Sequence, residues 1–179
     1  MFAIGIMKRS LLLIPLVGVL FLPGRVHGQS ASEFQIKAVF IYNFTQFIQW
    51  PEKSFDPAQD VFIIGVLGEN VFGKSLEEAV AGETYGSRPI VVKYYATPKD
   101  IGHCQILYAG SFPDAGKLMS NRPVLTIGEG DRFMKQGGLL RFYKENNKVR
   151  IEINQAAASS AGLVVSSKLL HLATIYDKK

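Results

Sequence analysis

Residues Gly68–Ser75 read GENVFGKS and fit the phosphate-cradling pattern G-x-x-x-x-G-K-[ST] at every position. In a working loop of that kind, backbone N–H groups wrap a chain of phosphates, the lysine reaches the outer ones and the hydroxyl holds magnesium. The residues around the second glycine must then be small. Here Val71 and Phe72 stand before Gly73, and Phe72 suits a plug beneath a following helix better than a wall against phosphate. The chemistry also needs a magnesium-binding acid at the end of a second buried strand. The run QILYAG ends without one, and in VLTIGEG the acid Glu129 comes after a glycine, beyond the apolar residues. The stretch is therefore read as a tight strand-to-helix turn, and a nucleotide-binding enzyme through Gly68–Ser75 stands as the remote alternative. Gly65, Gly68 and Gly73 do not have the dinucleotide-binding spacing.

Other groups able to do chemistry are sparse. His103 and His171 lie far apart, with no carboxylate at metal-ligand spacing, so neither a metal nor a cofactor is expected. Ser166-Ser167-Lys168 has the residue types of a serine nucleophile with a lysine base, but reads better as a helix N-cap followed by an exposed lysine. Glu129 and Asp131 are read as solvated, or as capping the next short helix, rather than as a general acid/base pair. Arg150 and Glu152 share the outer face of a strand and are expected to pair there. Cys104 is the only cysteine, which excludes an internal disulfide. Its setting, HCQILYA, favours a buried small residue over a thiol that pairs between chains. The expectation is a protein that is not an enzyme.

The elements that must position these residues begin after a leader. Lys8 and Arg9 precede the apolar SLLLIPLVGVLFLP, and small residues follow around Val26-His27-Gly28. That is the plan of a secretory signal peptide over residues 1–28, with residues 29–179 as the mature, soluble domain. Cleavage would remove Lys8, Arg9 and Arg25 and no acid, lowering the formal net charge of +5 by three. No basic run remains that could neutralise a row of phosphates, so nucleic-acid binding is not expected.

A helix is predicted from Glu33 to Trp50, opened by capping boxes at Ser30-x-x-Glu33 and Ser32-x-x-Gln35 and stopped by Pro51. Its apolar residues cover an arc of roughly 220°, against about 100° for an ordinary surface helix. Either a later segment of the chain covers the excess, or another protein molecule does. On the second reading Phe40, Asn43, Phe44, Phe47 and Trp50 are partner or dimer contacts, with Asn43 fixing a turn or a subunit register. Strands follow at VFIIGVLG, RPIVVKYY, CQILYAG and PVLTIGEG, separated by the short helices beginning at Phe72, PDAGKLMS and DRFMKQGG. LLRFYKENNKVRIEIN is a hairpin turning at Asn146-Asn147, with Leu140, Phe142, Val149, Ile151 and Ile153 inward. The tail gives a helix from Asn154, a break at Gly162, a short extended piece and a second helix. The fold class is α/β: a single-domain sandwich whose mixed sheet, parallel first and antiparallel at the C-terminal hairpin, is flanked by helices.

The segments AVFIYNFTQFIQWP, GVLGENVFG, RPIVV, CQILYAG, VLTIGEGDRFMKQGGLLRFYKENNKVRIEIN and AGLVVSSKLLHLA resemble, in the same order, the YfiR-like family of bacterial periplasmic proteins. The resemblance runs from about Glu33 to Ala173. It implies an α/β, dimer-forming periplasmic repressor without catalysis. Such a protein binds the periplasmic sensing part of an inner-membrane diguanylate cyclase, is released by envelope or redox stress or by an outer-membrane lipoprotein, and so controls cyclic di-GMP and biofilm formation. The lysine and serine that complete the phosphate pattern are not part of the family's motif. Redox-responsive members carry paired cysteines; this chain has only Cys104, so any thiol response would run between molecules. The alternatives are a periplasmic small-ligand sensor with its pocket at the strand ends, or an adaptor for another membrane receptor.

Overall fold

The computed structural model describes residues 32–110 and 112–177. The expected leader over residues 1–28 and the Ser30 capping box lie outside the described residues.

Helix α1 spans Glu33–Phe47. Ser32 Oγ accepts the Gln35 N–H at 3.3 Å while Gln35 Oε1 accepts the Ser32 N–H at 2.6 Å, so the second of the two predicted capping boxes forms. The helix stops three residues short of the predicted end. Ile48–Gln49 form a short strand, β1, which pairs antiparallel with β9, Val164–Val165. Pro51 keeps the residue before it out of the helical region, and the extended piece predicted after Gly162 supplies a strand partner for the freed backbone.

The main sheet contains β2 (Phe62–Leu67), β3 (Thr84–Tyr85), β4 (Arg88–Tyr95), β5 (Ile106–Gly110), β6 (Leu125–Glu129), β7 (Leu140–Glu145), β8 (Lys148–Ile153) and β10 (Thr174–Ile175), in the order β10-β8-β7-β6-β5-β2-β4-β3. The five central strands, β4-β2-β5-β6-β7, are parallel. β7 and β8 form the predicted antiparallel hairpin, in which Leu140 faces Ile153 and Phe142 faces Ile151. Asn146 and Asn147 turn it at φ 49° and 58°, the left-handed pair that a two-residue type I′ turn requires. The two-residue strands β3 and β10, which the sequence reading did not place, sit at the two ends of the sheet.

Alternation along β2 sends Phe62, Ile64 and Val66 to one face and Ile63 and Leu67 to the other. Helices α1, α2 (Ser75–Val80), α5 (Gln155–Ser160) and α6 (Ser167–Leu172) cover the first face; α3 (Ala115–Leu118) and α4 (Gly130–Lys135) cover the second. The result is the three-layer α/β sandwich expected, with a core on each side of the sheet.

Candidate functional site

Most of α1's excess apolar surface is absorbed within the chain. Ala38, Ile41 and Phe44 are buried, and the segment just beyond the helix buries Ile48 and Trp50. Trp50 packs edge-on against Phe62 at 4.9 Å between centroids and donates its indole N–H to the Gln105 carbonyl at 2.9 Å. Phe44 stacks on Phe142. Of the five residues predicted as partner contacts, Phe44 and Trp50 thus point inward, and Phe47 packs against the same core from a half-buried position. Phe40 and Asn43 remain half-exposed and line a shallow hollow of about 270 Å3 with Gln35, Ile36 and Val39. Val39 is 53 % exposed and Ile36 37 %. The apolar surface left over is therefore the N-terminal half of α1, one turn before the stretch on which the sequence reading centred.

Two polar residues of α1 lie inside. Thr45 is buried and donates to the Tyr42 carbonyl at 2.7 Å, one turn back along the helix. Lys37 is only 2 % exposed. Its ammonium contacts Glu33 Oε1 at 2.7 Å and Glu129 Oε1 at 2.6 Å and lies 5.0 Å from the Phe34 ring centroid. Glu33 Oε2 in turn meets Lys144 at 2.5 Å. The Lys144 ammonium, with Lys37 beside it, holds the Glu33 carboxyl below the usual carboxylate range. A desolvated ammonium with carboxylates on two sides is the arrangement that makes a buried lysine tolerable.

Glu129 also accepts the Tyr108 hydroxyl at 2.7 Å. Burial first, and then this carboxylate, push the Tyr108 phenol well above its ordinary pKa, so it stays a neutral donor. Glu129 is exposed and stands at the N-cap position of α4, in keeping with the sequence, but its side chain makes no cap hydrogen bond and instead ties β6 to α1 and β5. Asp131 pairs with Arg141. The expected Arg150–Glu152 pair does not form. Glu152 meets Arg141, directly opposite it on β7, at 2.6 Å, and Arg150 meets Glu145, its diagonal neighbour on β7, at 3.3 Å.

Tyr108 and Glu129 line a second hollow, a crevice of about 500 Å3 bounded also by Phe34, Leu67, Gly68, Glu69, Val71, Gly110 and Phe112. It lies beyond the carboxyl ends of β2, β5 and β6. β2 has the next parallel strand, β4, on one side and the later strand β5 on the other. The loop after β2 leads to α2 over one face, and the loop after β5 leads to α3 over the opposite face. Between diverging loops a doubly wound sheet opens a crevice. Gly68 is required there: its φ is +89°, and a Cβ would stand 2.9 Å from Phe112 Cε2.

The GENVFGKS loop borders this crevice but fills itself. Phe72 is buried, edge-on to Tyr108 at 4.8 Å, the plug that the sequence predicts. Asn70 Oδ1 accepts the Phe72 N–H at 3.1 Å and Asn70 Nδ2 donates to the Gly73 carbonyl at 2.9 Å. Ser166 caps α6 by accepting the Leu169 N–H at 3.3 Å, again as read. Cys104 is buried, and burial pushes its thiol up to about 12, so the thiol is shielded from exchange with a second chain. Among the described residues no three His, Cys, Asp or Glu side chains gather at metal-binding range, and no helix is long and apolar enough to cross a membrane.

These features define a doubly wound α/β domain with an exposed helix face and a crevice at its strand ends. The chain belongs to the YfiR/HmsC-like family (DUF4154), whose model matches residues 34–174. Membership supports, in general terms, a periplasmic regulator of diguanylate cyclase signalling. No curated protein matches the chain. Among solved structures it resembles a conserved domain protein from Vibrio cholerae O1 biovar El Tor, with a TM-score of 0.50 and 13 % identity over 83 % of this chain and 61 % of the other. A ligand-free, open structure of CD0873, a substrate-binding protein with adhesive properties from Clostridium difficile, has a TM-score of 0.44 and 14 % identity over 67 % of this chain and 56 % of that one. The chain thus spans less than two thirds of either structure, and the fold likeness rests on the first alone.

Proposed function

We propose that the exported protein is a periplasmic repressor that binds the periplasmic sensing part of an inner-membrane diguanylate cyclase, holds it inactive as a homodimer, and thereby limits cyclic di-GMP and biofilm formation. An outer-membrane lipoprotein that captures it would relieve the repression. The observation that carries this reading is the exposed apolar face at the start of α1. Ile36 and Val39 are exposed, with the half-buried Phe40 between them and the core, where a surface helix ordinarily presents charge. Family membership gives the direction: recognition of a receptor, with no chemistry required of the site.

The test joins capture to consequence. The wild-type protein should retain a diguanylate cyclase from solubilised inner membrane, identified by mass spectrometry, and deletion of its gene should raise cyclic di-GMP. Val39→Asp, which touches no core residue's position, should lose the capture and reproduce the deletion. Unchanged cyclic di-GMP in the deletion, with no receptor retained, overturns the proposal.

A further inference from the structure

The crevice at the strand ends has no part in the reading above, and the test below needs no receptor. Its volume, about 500 Å3, is that of a small-molecule site. Phe34, Leu67, Val71 and Phe112 give it apolar walls, and its polar side chains are Tyr108, Glu69 and Glu129. No lysine or arginine lines it; the ammonium closest in the hydrogen-bond network, Lys37, is buried and already placed against two carboxylates. Glu129 receives both Lys37 and Tyr108 on Oε1, and no described residue donates to Oε2. Tyr108 spends its own proton on Glu129. A carboxylate held in place from behind, a second acid and aromatic rings together favour positive charge. An anion would meet two carboxylates and no cation.

We infer that the crevice binds a small organic cation: an ammonium group on a compact aromatic or branched apolar body, with the body against Phe34, Val71 and Phe112 and the ammonium directed to Glu129, with Glu69 nearby. Recognition is by charge and shape, and no bond is made or broken.

Nuclear magnetic resonance titration of the purified protein with 2-phenylethylammonium tests this. Saturable shifts are expected at the Gly68 and Gly110 amides. 3-Phenylpropionate, which has a similar body and the opposite charge, should bind at least about tenfold more weakly. Ethylammonium, which keeps the charge and loses the body, should also bind about tenfold more weakly. Glu69→Gln should weaken 2-phenylethylammonium about two- to fivefold and Phe112→Ala about fivefold or more. Both side chains are exposed, so an unchanged urea midpoint checks that the fold is intact. Equal binding of the carboxylate probe, shifts confined to residues 36–43, or no saturation at millimolar probe overturns the inference.

Discussion

Lys37 and Glu129 carry more of this structure than their sequence settings suggest. Truncating Glu129 would leave a desolvated ammonium with one carboxylate in place of two. Glu129→Ala is expected to cost about 2–3 kcal/mol in urea unfolding. Adding Lys37→Met should recover most of that loss, since an apolar side chain of similar length needs no counter-charge; a double mutant less stable than Glu129→Ala alone would contradict this account. Glu33 sets an acid limit. Its folded pKa lies below the ordinary 4.5, so protonation opposes folding. Its contribution is whole above about pH 4.5 and is lost as pH falls through the lower folded value. Glu33→Gln should flatten that limb in a plot of urea midpoint against pH. Cys104 gives the third expectation at this scale: iodoacetamide should label the native thiol only at the rate of unfolding, and promptly in denaturant. Fast labelling of the folded protein would mean that the thiol is accessible after all. The Lys37 placement was in principle legible: Lys37, Ile41, Phe44 and Thr45 recur at the spacing of one helix face. Its charge hid it, because which carboxylates would reach it depends on strands about ninety residues away.

Helix α1 is two surfaces on one rod. Phe44 lies among the largest fully buried side chains, so Phe44→Ala should cost about 3–5 kcal/mol. Val39→Asp should change stability by less than about 0.5 kcal/mol while abolishing whatever association α1 supports. If both substitutions unfold the protein alike, the helix has no free face. Element positions were legible wherever local chemistry decides them. Arg88–Tyr95 formed over the residues expected, since a β-branched run and a proline at its edge mark a strand, and Asn146-Asn147 supplied their own turn. The end of α1 was not legible. The apolar pattern continues through Ile48 and Trp50, and only the pairing with β9, more than a hundred residues on, shows that this stretch has become extended. The two-residue strands β3 and β10 have no local signal at all, being defined by their partners.

For the whole molecule, the class of fold could be read from the alternation of strands and helices, but the order β4-β2-β5-β6-β7 could not, and that order is what places the crevice. Light scattering of the wild type should give a dimer, and Val39→Asp a monomer of unchanged fold; a monomeric wild type would remove the subunit role of α1. Glu129 stands in two places at once: its carboxylate lines the crevice and anchors Lys37 beneath the helix face. Such a shared group makes the two surfaces thermodynamic neighbours. If a guest that draws on Glu129 shifts the hold on α1, reciprocity obliges a protein gripping α1 to change the guest's affinity by the same factor.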